Sequence, residues 1–234
     1  MKIFIAVAVA AVLSGSTYFA YDKYEQSKLA AKEDQEQREL ISAISVHVKH
    51  ASLRVENASR YETDADSKLT FKDIFEKLEA DIGEIDKRLI EIQMLASTKN
   101  ASVSQPATEY LRASEAFLRA LLRKQRSVFT HGVAKSSAVK AATTFWQTVT
   151  RYGYDSAMIQ SDTNAANRAF GEAKEELKAA APDLRIATEK LKVARSALVS
   201  VLPADVLPPT VQLDAIIAKL SENNAMNSIS KSQK

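Results

Sequence analysis

Between Ala166 and Val201 two kinds of residue recur every seven positions. One series is Ala166, Ala173, Ala180, Ala187 and Ala194; the other is Phe170, Leu177, Leu184, Leu191 and Leu198. A sustained seven-residue repeat keeps one apolar seam on one side of a helix and supercoils it around a partner helix. The alanines let two backbones approach, and the larger side chains interlock between them. The chain is thereby restricted to helix-on-helix packing. Pro182 removes a backbone hydrogen bond without disturbing the phase of the repeat, so a kink is expected there rather than a turn. The seam fits an intermolecular coiled coil or an intramolecular bundle. The chain's other apolar faces favour the bundle.

Those faces are readable upstream. Ile41, Ile44, Val48, Ala51 and Val55 alternate at three- and four-residue steps, which sets them on one side of a helix ending near Ser59. After the polar break ETDADSKLT, Thr70 and Asp73 have the spacing of a capping box. Phe71, Phe75, Leu78, Ile82, Ile85, Leu89, Ile92 and Ala96 then form a heptad seam, with Gly83 off it. The run STKNASVSQP interrupts the pattern, and Pro106 suits the start of a third helix. That helix carries a wider face of Leu111, Phe117, Leu118, Leu121, Leu122, Val128 and Phe129. His131 and Gly132 are read as its stop or kink. A fourth segment with Val139, Ala142, Phe145, Trp146, Val149 and Tyr152 closes at Gly153.

Only five glycines occur, and no proline precedes Pro106, too few breakers for strands joined by tight turns. The expected fold is all-α: an N-terminal membrane-spanning or signal helix, then an antiparallel four- to five-helix bundle with coiled-coil-like packing. Residues 1–21 form the anchor or signal, 22–40 a polar helical stalk, and 41–202 the bundle. Residues 203–222 form a Pro-flanked short amphipathic helix with Val211, Leu213, Ile216, Ile217 and Leu220, and 223–234 a disordered tail.

The N-terminus decides location. Behind Lys2, the run from Ile3 to Tyr21 is uncharged. A spanning helix needs about 20 apolar residues, which this run just supplies, and Tyr18, Phe19 and Tyr21 then sit at the interface. A secretory signal ending at Ser16 fits the same residues. The anchor is favoured because no helix breaker separates Tyr21 from the helix that follows. The expected location is a single pass of the inner membrane with the bulk of the chain in the periplasm. The alternative is a secreted or periplasmic chain after signal cleavage. The absence of cysteine excludes disulfides, thiolate metal sites and cysteine nucleophiles together. It also favours a bacterial envelope over a eukaryotic secretory route.

The candidate sites are few. His47 and His50 share a helix at a spacing of three, but nothing nearby completes a set of three or four ligands. No Glu-x-x-His pair, nucleophile turn or phosphate loop occurs. Neither catalysis, a metal nor another cofactor is expected. The third helix and its sequel are basic, with Arg112, Arg119, Arg123, Lys124, Arg126, Lys135 and Lys140 against Glu115, whereas the second helix is acidic. Opposite charge on neighbouring helices would set their register. The alternative is a patch for anionic lipid or an envelope polymer, centred on Arg112, Arg119, Arg123, Lys124 and Arg126. A net charge of +3 is too small to indicate nucleic acid. Trp146, Tyr152 and Tyr154 gather around Gly153 as aromatics suited to a protein partner.

The sequence thus points to a non-catalytic, membrane-anchored bundle acting as a protein-interaction or scaffold module. The competing readings are an exported carrier of an apolar ligand or lipid, and a coiled-coil homo-oligomer that spaces envelope layers.

Overall fold

The computed structural model describes the backbone of residues 2–63, 69–96, 101–152 and 157–202, and the side chains of residues 23–61, 69–95, 101–151 and 157–202. There are four helices: α1 (Lys2–Thr63), α2 (Phe71–Ala96), α3 (Ala101–Tyr152) and α4 (Ala157–Val199). Among the described residues there is no strand. The chain forms two compact units, Met1–Ile44 and Ser45–Lys234.

The first unit is helical from Lys2 onward. Its described side chains from Lys23 to Glu39 are all exposed, including Tyr24 and Leu29. Lys32–Glu36 and Gln35–Glu39 are side-chain pairs one helical turn apart, as suits a solvated helix without an apolar stripe. Among the described residues no helix is long and apolar enough to cross a membrane. The side chains of Ile3–Tyr21, on which the expected anchor rests, lie outside those residues. So does the tail from Pro203 onward.

The second unit is a helical bundle in which chain neighbours run antiparallel. Arg54 and His47 of α1 meet Asp81 and Glu91 of α2, so sequence numbers rise on one helix as they fall on the other. Asp86 and Glu79 of α2 meet Arg119 and Arg126 of α3 in the same sense. Arg123 and His131 of α3 lie beside Glu176 and Phe170 of α4. Helix α2 starts where the capping box predicts. The Thr70 backbone N–H donates to Asp73 Oδ2 at 2.9 Å, and the Asp73 N–H donates back to Thr70 Oγ1 at 3.2 Å. These bonds satisfy donors that the first turn leaves without partners. The Thr70 hydroxyl, which donates to Asp73 Oδ2 at 2.7 Å, and then the Thr70 N–H hold the Asp73 carboxyl below the usual carboxylate range.

The core is built from the predicted seams. Val48, Ala51, Val55 and Ala58 of α1 are buried with Leu78, Ile82, Ile85 and Ile92 of α2. From α3 come Leu111, Phe117, Leu118, Leu121 and Leu122, and from α4 Leu184, Leu191 and Leu198. Each of the valine, leucine, isoleucine and phenylalanine side chains contributes about 1.5–3 kcal/mol on leaving water. Polar groups within the core have partners. Ser52 Oγ lies 2.7 Å from the Tyr110 hydroxyl, and Ser114 and Thr188 donate to carbonyls one turn back. Burial pushes the Tyr110 phenol up from its ordinary value.

Two expectations about the elements are corrected. The stop at His131 and Gly132 does not exist: α3 is one helix of 52 residues, and the supposed fourth segment is its C-terminal half. A glycine in a helix costs about 1 kcal/mol, which continuous packing on α4 outweighs. Pro106 lies near the start of α3, as its sixth residue. Helix α1 runs past Ser59 to Thr63. Helix α4 continues across Pro182.

The length of α3 divides the second unit. Gln125 donates to the Tyr61 carbonyl, which puts the end of α1 at that level of α3. The start of α2 lies beside Phe129, whose ring is 5.4 Å from that of Phe71. Beyond Thr130 the described part of α3 has α4 as its packing partner, and the pair forms an arm. Only Ala138 is buried on this stretch of α3, while Phe145, Val149, Ile159, Thr163 and Ala166 are half-buried.

Candidate interaction surfaces

The seam of α4 is covered where the bundle is four helices thick and thins out along the arm. Ala173, Ala180, Leu184, Ala187, Leu191, Ala194 and Leu198 are buried, whereas Ala166 and Phe170 on the arm are half-buried, as is Leu177 within the bundle. The repeat is continuous in sequence, but the number of helices around it is not.

The basic residues of α3 are held by carboxylates from three helices. Arg119 donates to Glu115 at 2.5 Å and to Asp86 of α2 at 3.2 Å. Arg123 reaches across to Glu176 at 2.9 Å and to Asp183, both on α4. Arg126 pairs with Glu79 of α2. Three guanidiniums thus face five carboxylates, and the row is an acid-lined seam between helices rather than a free cationic surface. The bond from Arg123 pulls the Glu176 carboxyl below its usual value. Lys124 is buried, and Arg112 is exposed. An open groove of about 410 Å³ follows the row, lined by Arg119, Arg123, Arg126, Thr130 and Glu176.

Two polar clasps join α1 to α2. Arg54 donates to Asp81 Oδ1 at 2.5 Å. Asp81 is itself buried, and desolvation pushes its carboxyl up despite the guanidinium beside it. The other clasp is at His47, which the sequence offered with His50 only as an incomplete ligand pair and which is partly covered. Its Nδ1 lies 3.2 Å from Glu91 and 3.4 Å from Arg88. An unprotonated Nδ1 accepts from Arg88; a protonated one donates to Glu91. Burial holds His47 below its ordinary value, against the pull of Glu91. His50 is exposed. Among the described residues no three of His, Asp and Glu converge as metal ligands.

The surface that the sequence concealed lies where the bundle meets the arm. Phe71 and Phe129 were read as seam residues, yet they are 37% and 44% exposed. Their rings and that of Phe75 stand 5.4–6.1 Å apart, and the Arg126 guanidinium lies 5.8 Å from the Phe75 centroid. The geometry suits aromatic pairing and a cation–π contact. The three rings floor an open cleft of about 700 Å³, rimmed by Lys72, Glu76, Glu79 and Arg126. The cause is topological: α1 ends and α2 begins at this level, so among the described residues no third helix lies over Phe129.

The arm carries the remaining exposed apolar side chains of α3. Val139 is 59% exposed and Trp146 65%, with the Trp146 ring edge-on to Phe145 at 5.5 Å. Met158 of α4 is also exposed. Of the aromatics singled out for a partner, Trp146 is displayed as expected, while the side chain of Tyr152 and all of Tyr154 lie outside the described residues. No protein-family model, curated protein or solved structure matches the chain.

Proposed function

We propose that the chain is a non-catalytic, membrane-anchored helical bundle, displayed outside the cytoplasm, that acts as a protein-interaction or scaffold module of the cell envelope. The observation that carries this reading is the aromatic cleft of Phe71, Phe75 and Phe129. Large rings exposed together with an arginine in a concave site are what a protein-binding surface uses, because burying them on association releases water from a wide apolar area. The anchor rests on the uncharged run Ile3–Tyr21, and the stalk on the exposed, mixed-charge helix that follows it.

The carrier reading has less support. Phe117, Leu118, Leu121 and Leu122, the wide apolar face that would line its pocket, are buried among the helices, and the described clefts open to the surface. Binding of anionic lipid by the arginine row is likewise disfavoured, since each of its three central guanidiniums is already paired. The homo-oligomer reading gains one observation, the half-covered arm.

The two halves of the proposal separate experimentally. Alkaline carbonate should leave the chain in the membrane pellet, and N-terminal sequencing should recover Met1; a mature chain beginning at Thr17 and released in the wash removes the anchor. For the cleft, Phe71→Ser with Phe129→Ser should lower partner retention at least tenfold while helicity is unchanged. Retention equal to wild type removes the cleft.

A further inference from the structure

The occupant of this surface is written into the spacing of α3. Leu111, Leu118, Gln125, Gly132, Val139 and Trp146 stand seven residues apart, one position of a heptad carried through the whole helix. Leu111 and Leu118 are fully buried and Gln125 nearly so, because α1 and α2 lie over them. Past the ends of α1 and α2 the same stripe continues with Gly132 open and with Val139 and Trp146 exposed. A Cβ added at Gly132 would meet nothing within 4 Å. The core-facing stripe of a four-helix bundle therefore runs on into a stretch where, among the described residues, only α3 and α4 are present.

Resting on the cleft reading above, we propose that the partner is a second copy of this chain, whose arm lies antiparallel on this one and completes a four-helix bundle. Antiparallel entry is what the geometry allows. The vacant space is closed below by α1 and α2, so another arm can enter only tip first. Related by a two-fold axis near Ala141, each arm then supplies the two helices that the other lacks, in a self-complementary contact. Residue 150 of one copy lies opposite Gly132 of the other, and each arm tip reaches the level of Phe129, where the aromatic cleft waits.

Size and charge agree with this occupant. The arm from His131 to Tyr152 is about 33 Å long at 1.5 Å per residue, and two helices are roughly 20 Å across. Pairing thus covers about 650 Å² per copy, about 1,300 Å² in total, which a specific interface requires. The stripe positions Gly132, Val139 and Trp146 are uncharged, and between Ser136 and Thr150 α3 has one charged residue, Lys140, whose two copies lie near the axis. An acidic or basic partner would find little to pair with there. Copies joined in this way carry their Ser45 ends at opposite ends of the pair.

The cysteine-free sequence makes the test direct. Full-length chains carrying Gly132→Cys and Thr150→Cys, distinguished by tags, should form a mixed disulfide at least tenfold faster than Gly132→Cys chains join each other. In parallel, the mass of the detergent-solubilised wild type should be dimeric. Val139→Glu with Trp146→Glu, both exposed within one copy, should raise the dimer dissociation constant on the order of 30-fold or more. A monomer at all concentrations overturns the proposal, as does a dimer indifferent to that double substitution or equal self-linking at position 132. If a monomeric chain is nevertheless crosslinked at Phe129 to a different protein, the second copy is excluded and the cleft reading stands. With no contact at Phe129 from any chain, both fall.

Discussion

At the scale of single residues, the burial of Asp81 is the most consequential feature. A carboxylate taken out of water is tolerated when a guanidinium accompanies it, and Arg54 does so at 2.5 Å. Arg54→Met leaves the charge uncompensated and should cost on the order of 2 kcal/mol at neutral pH, toward the low end because the site is partly open to solvent. The pH dependence has a definite sign. A carboxyl whose folded value is raised binds its proton more tightly in the folded state, so its penalty is present at neutral pH and fades as pH falls through the raised value. The deficit of Arg54→Met should therefore shrink as pH falls from neutral, and adding Asp81→Asn should abolish that trend. Thermal unfolding followed by circular dichroism measures both; a deficit constant with pH would show that Asp81 is not the cause. None of this was legible in the sequence. Asp81 is one of seven carboxylates on α2, and only the register of α1 against α2 selects it. The clasp at His47 was illegible for the same reason: it consists of Arg88 and Glu91, forty residues away.

At the scale of helices, periodicity was sufficient wherever one helix has the same neighbours along its length. The limits of α2, its capping box and the buried part of the α4 seam follow from it. It failed where neighbours change. Gly132 looked like a boundary because a glycine and a histidine interrupt the apolar pattern, yet the helix continues since α4 supports both sides. Phe71 and Phe129 looked like core because phase alone does not say where a covering helix stops. The charge contrast between the acidic second helix and basic third helix was readable, and the arginines do bridge α2 and α4. Exposed pairs of this kind are screened by salt, with a Debye length of about 10 Å at 0.1 M and 3 Å at 1 M. Replacing Arg119, Arg123 and Arg126 by Gln should lower the melting temperature in dilute buffer, and the difference should narrow as salt is added. The same variant should sediment with anionic vesicles no less than wild type. Salt-independent destabilisation would contradict the register role, and loss of vesicle binding would restore the lipid patch.

At the scale of the whole molecule, the interaction surface is a consequence of unequal helix lengths. A bundle whose four helices ended together would have covered Phe71, Phe75 and Phe129 and left no arm. Here α3 and α4 outrun the others, and the aromatic cleft, Val139 and Trp146 are what that mismatch exposes. A working interaction surface requires that these positions touch another protein in the cell, while comparably apolar exposed positions elsewhere do not. Ile186 and Val193 of α4 supply the comparison, being 50% and 71% exposed and away from both cleft and arm. The decisive measurement places a photoreactive phenylalanine analogue, in turn, at positions 129, 146, 186 and 193 of the full-length chain in intact cells. Discrete protein adducts from positions 129 and 146, with none from 186 or 193, are the expected result. Adducts spread evenly over the four positions, or their absence from 129 and 146, would contradict the account.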